Sequence, residues 1–104
     1  HSDSAGDKQG HTGSLICYSA TDPIGRQLGQ RIQARMFSDF SWPIAGESER
    51  SGTLAVLDSS NCPSVLIEVG NHSDPDDCVI LRDNPGQFEK SITKGIFNFL
   101  GLTP

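Results

Sequence analysis

At 104 residues the chain has room for one small domain with a single core, and its 13 acidic against 8 basic residues give a formal charge of −5. A pI near 4.9 with scattered Lys and Arg argues against a nucleic-acid or anionic-membrane partner, and no segment is apolar for long enough to span a bilayer. Cys17, Cys62 and Cys78 show no CxxC spacing, so neither a zinc knuckle nor a disulfide framework is indicated; Cys17 and Cys78 sit in apolar patterns and are expected in the core.

The chain opens on His1, not Met, which reads as processing or as part of a longer protein. The polar residues after His1 suggest the carboxyl end of a strand whose body lies upstream, and residues 1–13 as a whole are polar and Gly-rich, as in a loop. Residues 13–19, GSLICYS, alternate as a strand, with Leu15 and Cys17 on one face and Ile16 and Tyr18 on the other. Thr21 or Asp22 is the N-cap of a helix with Pro23 in its first turn. Ile24, Leu28, Ile32 and Met36 form its packing stripe, and Arg26, Gln30 and Gln33 its solvent face.

Residues 38–52 read as an irregular connection in which Trp42, beside Pro43, plugs the edge of the core. Residues 53–57 are a short strand candidate, and 58–63 a turn. Residues 64–70, SVLIEVG, carry β-branched Val65, Ile67 and Val69 in a nearly unbroken apolar run, the pattern of a strand covered on both faces in a parallel sheet. Ser73 or Asp74 caps a short helix reaching about Arg82, with Pro75 in its first turn and Asp76 and Asp77 complementing its dipole. Asn84 or Pro85 begins the last helix, whose stripe is Phe88, Ile92, Ile96 and Phe99 or Leu100, closed by Gly101 and Pro104. The class is α/β: a mixed, largely parallel sheet with helices on both faces, lacking its first strand or strands within this chain.

Glu68 is the residue that needs a reason. An ionised carboxylate inside an apolar strand costs several kcal/mol unless it is paired, hydrogen-bonded or near a metal. Its place near the carboxyl end of the strand is where open α/β sheets put ligand crevices. The structural alternative is an ion pair with Arg50 or Arg82. His11 and His72 lie in polar loops where a solvated imidazole is the default. His72 is the better candidate for a substrate contact, four residues after Glu68, and Asn71 beside it has amide groups suited to a peptide or sugar.

Residues 63–77, PSVLIEVGNHSDPDD, resemble the catalytic segment of the zinc-dependent N-acetylmuramoyl-L-alanine amidases of the third class. In that family a hydrophobic strand ends in Glu, a small residue and Gly, and a short connector leads to Ser, Asn or Asp, Pro and acidic residues. The opening HSDSA is similar to the family's His-Ala-Asn/Asp segment, whose histidine is a zinc ligand; Asn71 and His72 stand where the family is commonly hydrophobic. The helix after Asp22, LAVLDSSNCPS and FEKSITKGIFNFL follow the family's order.

The resemblance implies that residues 1–104 are the C-terminal portion of an amidase-like catalytic domain. It also implies hydrolysis of the amide between N-acetylmuramic acid and L-alanine in peptidoglycan, with Glu68 as general acid/base and His1 as one ligand of a Zn2+ cofactor. The remaining zinc ligands, a His and a Glu, belong to upstream segments of the family or would come from another chain, because structural and catalytic zinc sites need three or four protein ligands. A muropeptide substrate places the enzyme in the cell envelope, secreted or periplasmic. The alternative is a non-catalytic amidase-like domain that binds or regulates at the cell wall.

Overall fold

The computed structural model describes residues 1–2, 12–59 and 61–102. His11, most of the expected N-terminal loop and the stop at Pro104 lie outside the described residues. In chain order the elements are β1 (Ser14–Tyr18), α1 (Pro23–Phe40), β2 (Ile44–Glu49), α2 (Ala55–Asp58), β3 (Leu66–Glu68), α3 (Pro75–Asp83) and α4 (Pro85–Phe99). The strands make a mixed sheet in the order β2-β1-β3, with β1 parallel to β2 and antiparallel to β3. The α/β class read from the sequence stands.

Asp22 starts α1 and does more than cap it. One carboxylate oxygen accepts from Gly25 N at 2.8 Å and the other from Ser64 N, also at 2.8 Å, so the cap ties the helix to the entry of β3. Gly25 and Gly29 let the helix lie close to the sheet: a Cβ on Gly29 would stand 2.8 Å from Val65 and 3.0 Å from Ile16. Of the apolar stripe, Ile32 and Met36 are buried and Ile24 is exposed.

Gln33 is not on the solvent face. It is buried, and its Nε2 donates to Ser14 O at 3.0 Å and to Gly46 O at 3.1 Å, bridging the parallel strands. The register between those strands slips at Ser14/Leu15, where β2 skips Ala45 and Gly46 takes φ +139°, a β-bulge.

Two stretches differ from the sequence reading. Residues 44–49 form β2 although the pattern suggested an irregular connection. The strand is polar because it stands at the edge of the described sheet, where Glu47 and Glu49 remain in contact with water. Arg26 clasps Glu47 at 2.7 Å, and this hydrogen bond holds the Glu47 carboxyl below the usual range. Residues 55–58 form one turn of helix where a strand was expected; only Leu57 of that turn is buried.

The core lies between the sheet and the pair α1 and α4. Ile32, Met36, Trp42 and Phe88 form its centre, with Ile67, Val69, Ile80, Leu81 and Ile92 packed around them. Trp42 fills the core edge as expected. It meets Phe88 edge-on at 4.9 Å between centroids and donates its indole N–H to Val69 O at 2.7 Å, which satisfies its polar atom. Cys17 is buried; Cys78 is exposed on α3, against expectation, because the core face of that short helix is taken by Ile80 and Leu81.

The buried face of α4 is Phe88, Ser91 and Gly95, while Ile96 and Leu100 of the expected stripe are exposed. Small residues sit at the crossing because the helices approach closely: a Cβ on Gly95 would lie 2.9 Å from the Cα of Ile32. Gly95→Val is therefore expected to force α1 and α4 apart at a cost of about 1–3 kcal/mol. A thermal melt checks this, and an unchanged Tm would show that the crossing has slack.

Beside it, Ser91 Oγ donates to Asp39 at 2.6 Å, and this bond, with help from Arg35, holds the Asp39 carboxyl below its usual value. A carboxyl depressed in the folded state stabilises the fold above its unfolded pKa of about 3.9 and loses that contribution as pH falls through the lower folded value. Ser91→Ala should lower the urea midpoint at pH 6 and narrow the difference between pH 6 and pH 3. A difference as large as in the parent protein would remove Asp39 from the acid response.

Candidate active site

β3 is three residues long, Leu66–Glu68. Ile67 and Val69 pack into the core, so Glu68, alternating with them, points to the opposite face of the sheet. Directly across on β1 stands Leu15, an apolar neighbour. The Glu68 side chain is 13% exposed, and its Oε2 lies 2.6 Å from Nδ1 of His1, which is 67% exposed. The carboxylate is thus largely withdrawn from water, with an imidazole at its open side.

No guanidinium takes this place. Arg82 pairs with its neighbour Asp83, and Arg50 follows β2 next to Tyr18, at the far end of β1. Because β3 runs antiparallel to β1, the carboxyl end of β3 coincides with the amino ends of β1 and β2, so the rule for parallel sheets does not place this site.

The backbone holds the pair in register. Val69 N donates to His1 O at 2.8 Å, so the first residue lies alongside the free edge of β3. Ser2 then reaches the loop beyond β3, where its Oγ is 2.8 Å from Nδ1 of His72. His1, Ser2, Glu68 and His72 therefore gather at one end of the sheet, although 67 residues separate the first pair in sequence. His72 is exposed. Asn71 is 2% exposed and its Oδ1 accepts from Ser73 N at 3.0 Å, so this side chain shapes the turn from inside.

Sequence reasoning missed the role of Asp77. It is 2% exposed, and its Oδ2 accepts from Asn71 N at 3.0 Å and from Gly13 N at 2.9 Å. One carboxylate thus ties the first turn of α3 to the site loop and to the entry of β1. Its neighbour Asp74 caps α3, accepting from Asp76 N and Asp77 N at 3.0 Å, as expected for an N-cap. The two acids look alike in the sequence. The only signal for Asp77 was its spacing of three from a cap residue, on the inward side of the helix.

A zinc ion asks for more donors than these residues provide. Among the described residues no three His, Cys, Asp or Glu side chains converge on a common point. What is present fits one corner of such a centre. With Nδ1–H donating to Glu68, the lone pair of the His1 ring resides on Nε2, the form in which a neutral imidazole ligates a metal.

The class is a mixed α/β domain with a shielded carboxylate held against an imidazole at one end of its sheet. The third N-acetylmuramoyl-L-alanine amidase family matches residues 1–98, and the chain belongs to that family. No curated protein sequence matches the chain. Among solved structures it is similar to the amidase AmiC2 of Nostoc punctiforme, at TM-score 0.83 and 21% identity over 97% of this chain and 55% of that one. The amidase of Clostridium difficile 630 aligns at TM-score 0.82 and 25% identity over 100% of this chain and 56% of that one. The CwlD amidase of Clostridioides difficile, solved in complex with the GerS lipoprotein, aligns at TM-score 0.79 and 23% identity over 95% and 51%. The chain thus spans about half the length of the structures it matches.

Proposed function

We propose that the chain is the part of a peptidoglycan amidase that carries its general acid/base, Glu68, and one zinc ligand, His1. The bond cut is the amide between N-acetylmuramic acid and L-alanine. The observation that carries this reading is the 2.6 Å contact between a shielded carboxylate and an exposed imidazole, in a chain matched by the family over residues 1–98. Glu68 takes a proton from the attacking water as its oxygen bonds to the carbonyl carbon. It returns that proton to the nitrogen as the C–N bond breaks, leaving an acid and a free amine.

Zinc, when bound, would polarise the amide carbonyl and ease deprotonation of water. The donors beyond His1 are not gathered among the described residues and would come from an upstream segment of the protein or from another chain. Because the substrate is cell-wall polymer, the protein works in the cell envelope, secreted or periplasmic; no helix among the described residues is long and apolar enough to cross a membrane.

The test is metal content and muropeptide release by the complete gene product. One zinc per chain, with activity lost to a chelator and restored by zinc, is expected. A protein without metal that binds peptidoglycan but releases no peptide would instead be a non-catalytic wall-binding domain.

A further inference from the structure

β1 and β3 are paired as far as Leu15 and Glu68, so Val69 lies just beyond the last rung of their ladder. Its two backbone groups are held by separate partners. The N–H donates to His1 O at 2.8 Å, and the C=O accepts from the indole N–H of Trp42 at 2.7 Å. A hydrogen-bonded residue inside an antiparallel ladder exchanges both bonds with one neighbour, so dividing them takes the chain out of the strand directly after the carboxylate. Resting on the amidase reading above, we propose that Trp42 is a positioning residue for the reaction: by holding the Val69 carbonyl it fixes the exit of β3, and with it the reach of the Glu68 carboxylate and the docking of His1 against it.

The ring is enclosed and its bond has one direction. Trp42 is 6% exposed, stands edge-on to Phe88 at 4.9 Å and lies 6.1 Å from Phe40 between centroids. An indole N–H can only donate and a carbonyl oxygen only accept. The ring edge also runs under the start of the site loop, since a Cβ on Gly70 would stand 3.1 Å from Cζ2 of Trp42. α1 delivers the ring to this place through a left-handed cap: Ser41 holds φ 56°, a conformation costly for a residue with a side chain, and the N–H groups of Ser41 and Trp42 close on Phe37 O at 2.8 Å and Met36 O at 3.3 Å. Packing against Phe88 asks only for an aromatic ring. The bond to the residue after Glu68 is a separate demand, and turnover is sensitive to it because a misplacement of about 1 Å at a reacting group can cost about 10²-fold.

The experiment uses the complete gene product with L-3-(3-benzothienyl)alanine incorporated at position 42, where sulfur replaces the indole N–H in a ring of nearly the same shape. Trp42→Phe is the companion variant, which keeps a ring on Phe88 without the donor, and Gly95→Val at the α1–α4 crossing is the control for lost stability alone. On purified muropeptide both position-42 proteins are expected to lose about tenfold in kcat, with KM changed by no more than about twofold and metal content unchanged. By NMR, the Val69 amide should exchange its hydrogen about tenfold faster relative to amides of α1, because the docking of His1 loosens. Gly95→Val should keep the parental kcat below its melting temperature.

Parental kcat in the benzothienyl protein would overturn the proposal and leave Trp42 as packing. Unchanged exchange at Val69 would do the same, as would a kcat loss that Gly95→Val reproduces. Glu68→Gln, assayed in parallel, separates the two levels: parental turnover there overturns the acid/base reading and this proposal with it, whereas a slow Glu68→Gln beside a benzothienyl protein of parental rate overturns this proposal alone.

Discussion

In the complete gene product, Glu68→Gln is expected to slow amide hydrolysis by about 10²–10⁴-fold, the range for loss of a positioned general base. Gln matches Glu in shape and still offers an oxygen to Nδ1 of His1, so the side chain remains against Leu15 on the same face of the sheet. What it cannot do is accept a proton from water and return it to the departing nitrogen. Zinc content should therefore survive while the rate falls, and the loss should appear in kcat more than in KM, because the proton moves only in the transition state. Metal analysis and turnover on purified muropeptide, measured on one preparation, separate these outcomes. A variant with parental turnover would take Glu68 out of the mechanism and leave the His1 contact as a structural hydrogen bond.

Asp77→Ala is the second large effect, and it should fall on the fold before it falls on the chemistry. The carboxylate is the acceptor for two N–H groups, those of Gly13 and Asn71, in a buried setting that offers no water in exchange. Each buried donor left unpaired costs about 1–3 kcal/mol, so the sum is about 2–6 kcal/mol, a large part of a small domain's stability. The urea midpoint reads the stability. Asp77→Asn, which retains one acceptor oxygen, should recover part of the loss. If Asp77→Ala unfolds at the same midpoint as the parent, the two N–H groups have other acceptors and the tie between β1 and the site loop is not required.

The local signals were the legible ones. Pro after a capping Asp marks both α1 and α3, and the caps are observed at Asp22 and Asp74 with their hydrogen bonds made. β1 read correctly because its side chains are apolar on the face that packs, whereas β3, expected over residues 64–70 inside a parallel sheet, is a three-residue antiparallel strand at the edge of the described sheet. β2 did not, since an edge strand pairs through its backbone and leaves its polar side chains, IAGESE, without a buried face to betray it. Gln33 and Ser91 were illegible for a related reason. Each is polar and faces inward to reach a specific oxygen, on Ser14 and Gly46 for one and on Asp39 for the other, and periodicity scores polarity without knowing who waits across the interface.

By itself the sequence determined the class and the family resemblance and singled out Glu68, because a carboxylate in an apolar strand is improbable unless something offsets its desolvation; His1 was singled out by the resemblance alone. Only the tertiary structure decided that these side chains meet at 2.6 Å, that the sheet is reversed between β1 and β3, and that Ser2 finds His72 while Asn71 and Asp77 turn inward. The reason is one of range. Caps and strand alternation are written within a few neighbouring residues, whereas a contact between residues 1 and 68 exists only once the chain has paid the entropy of bringing them together.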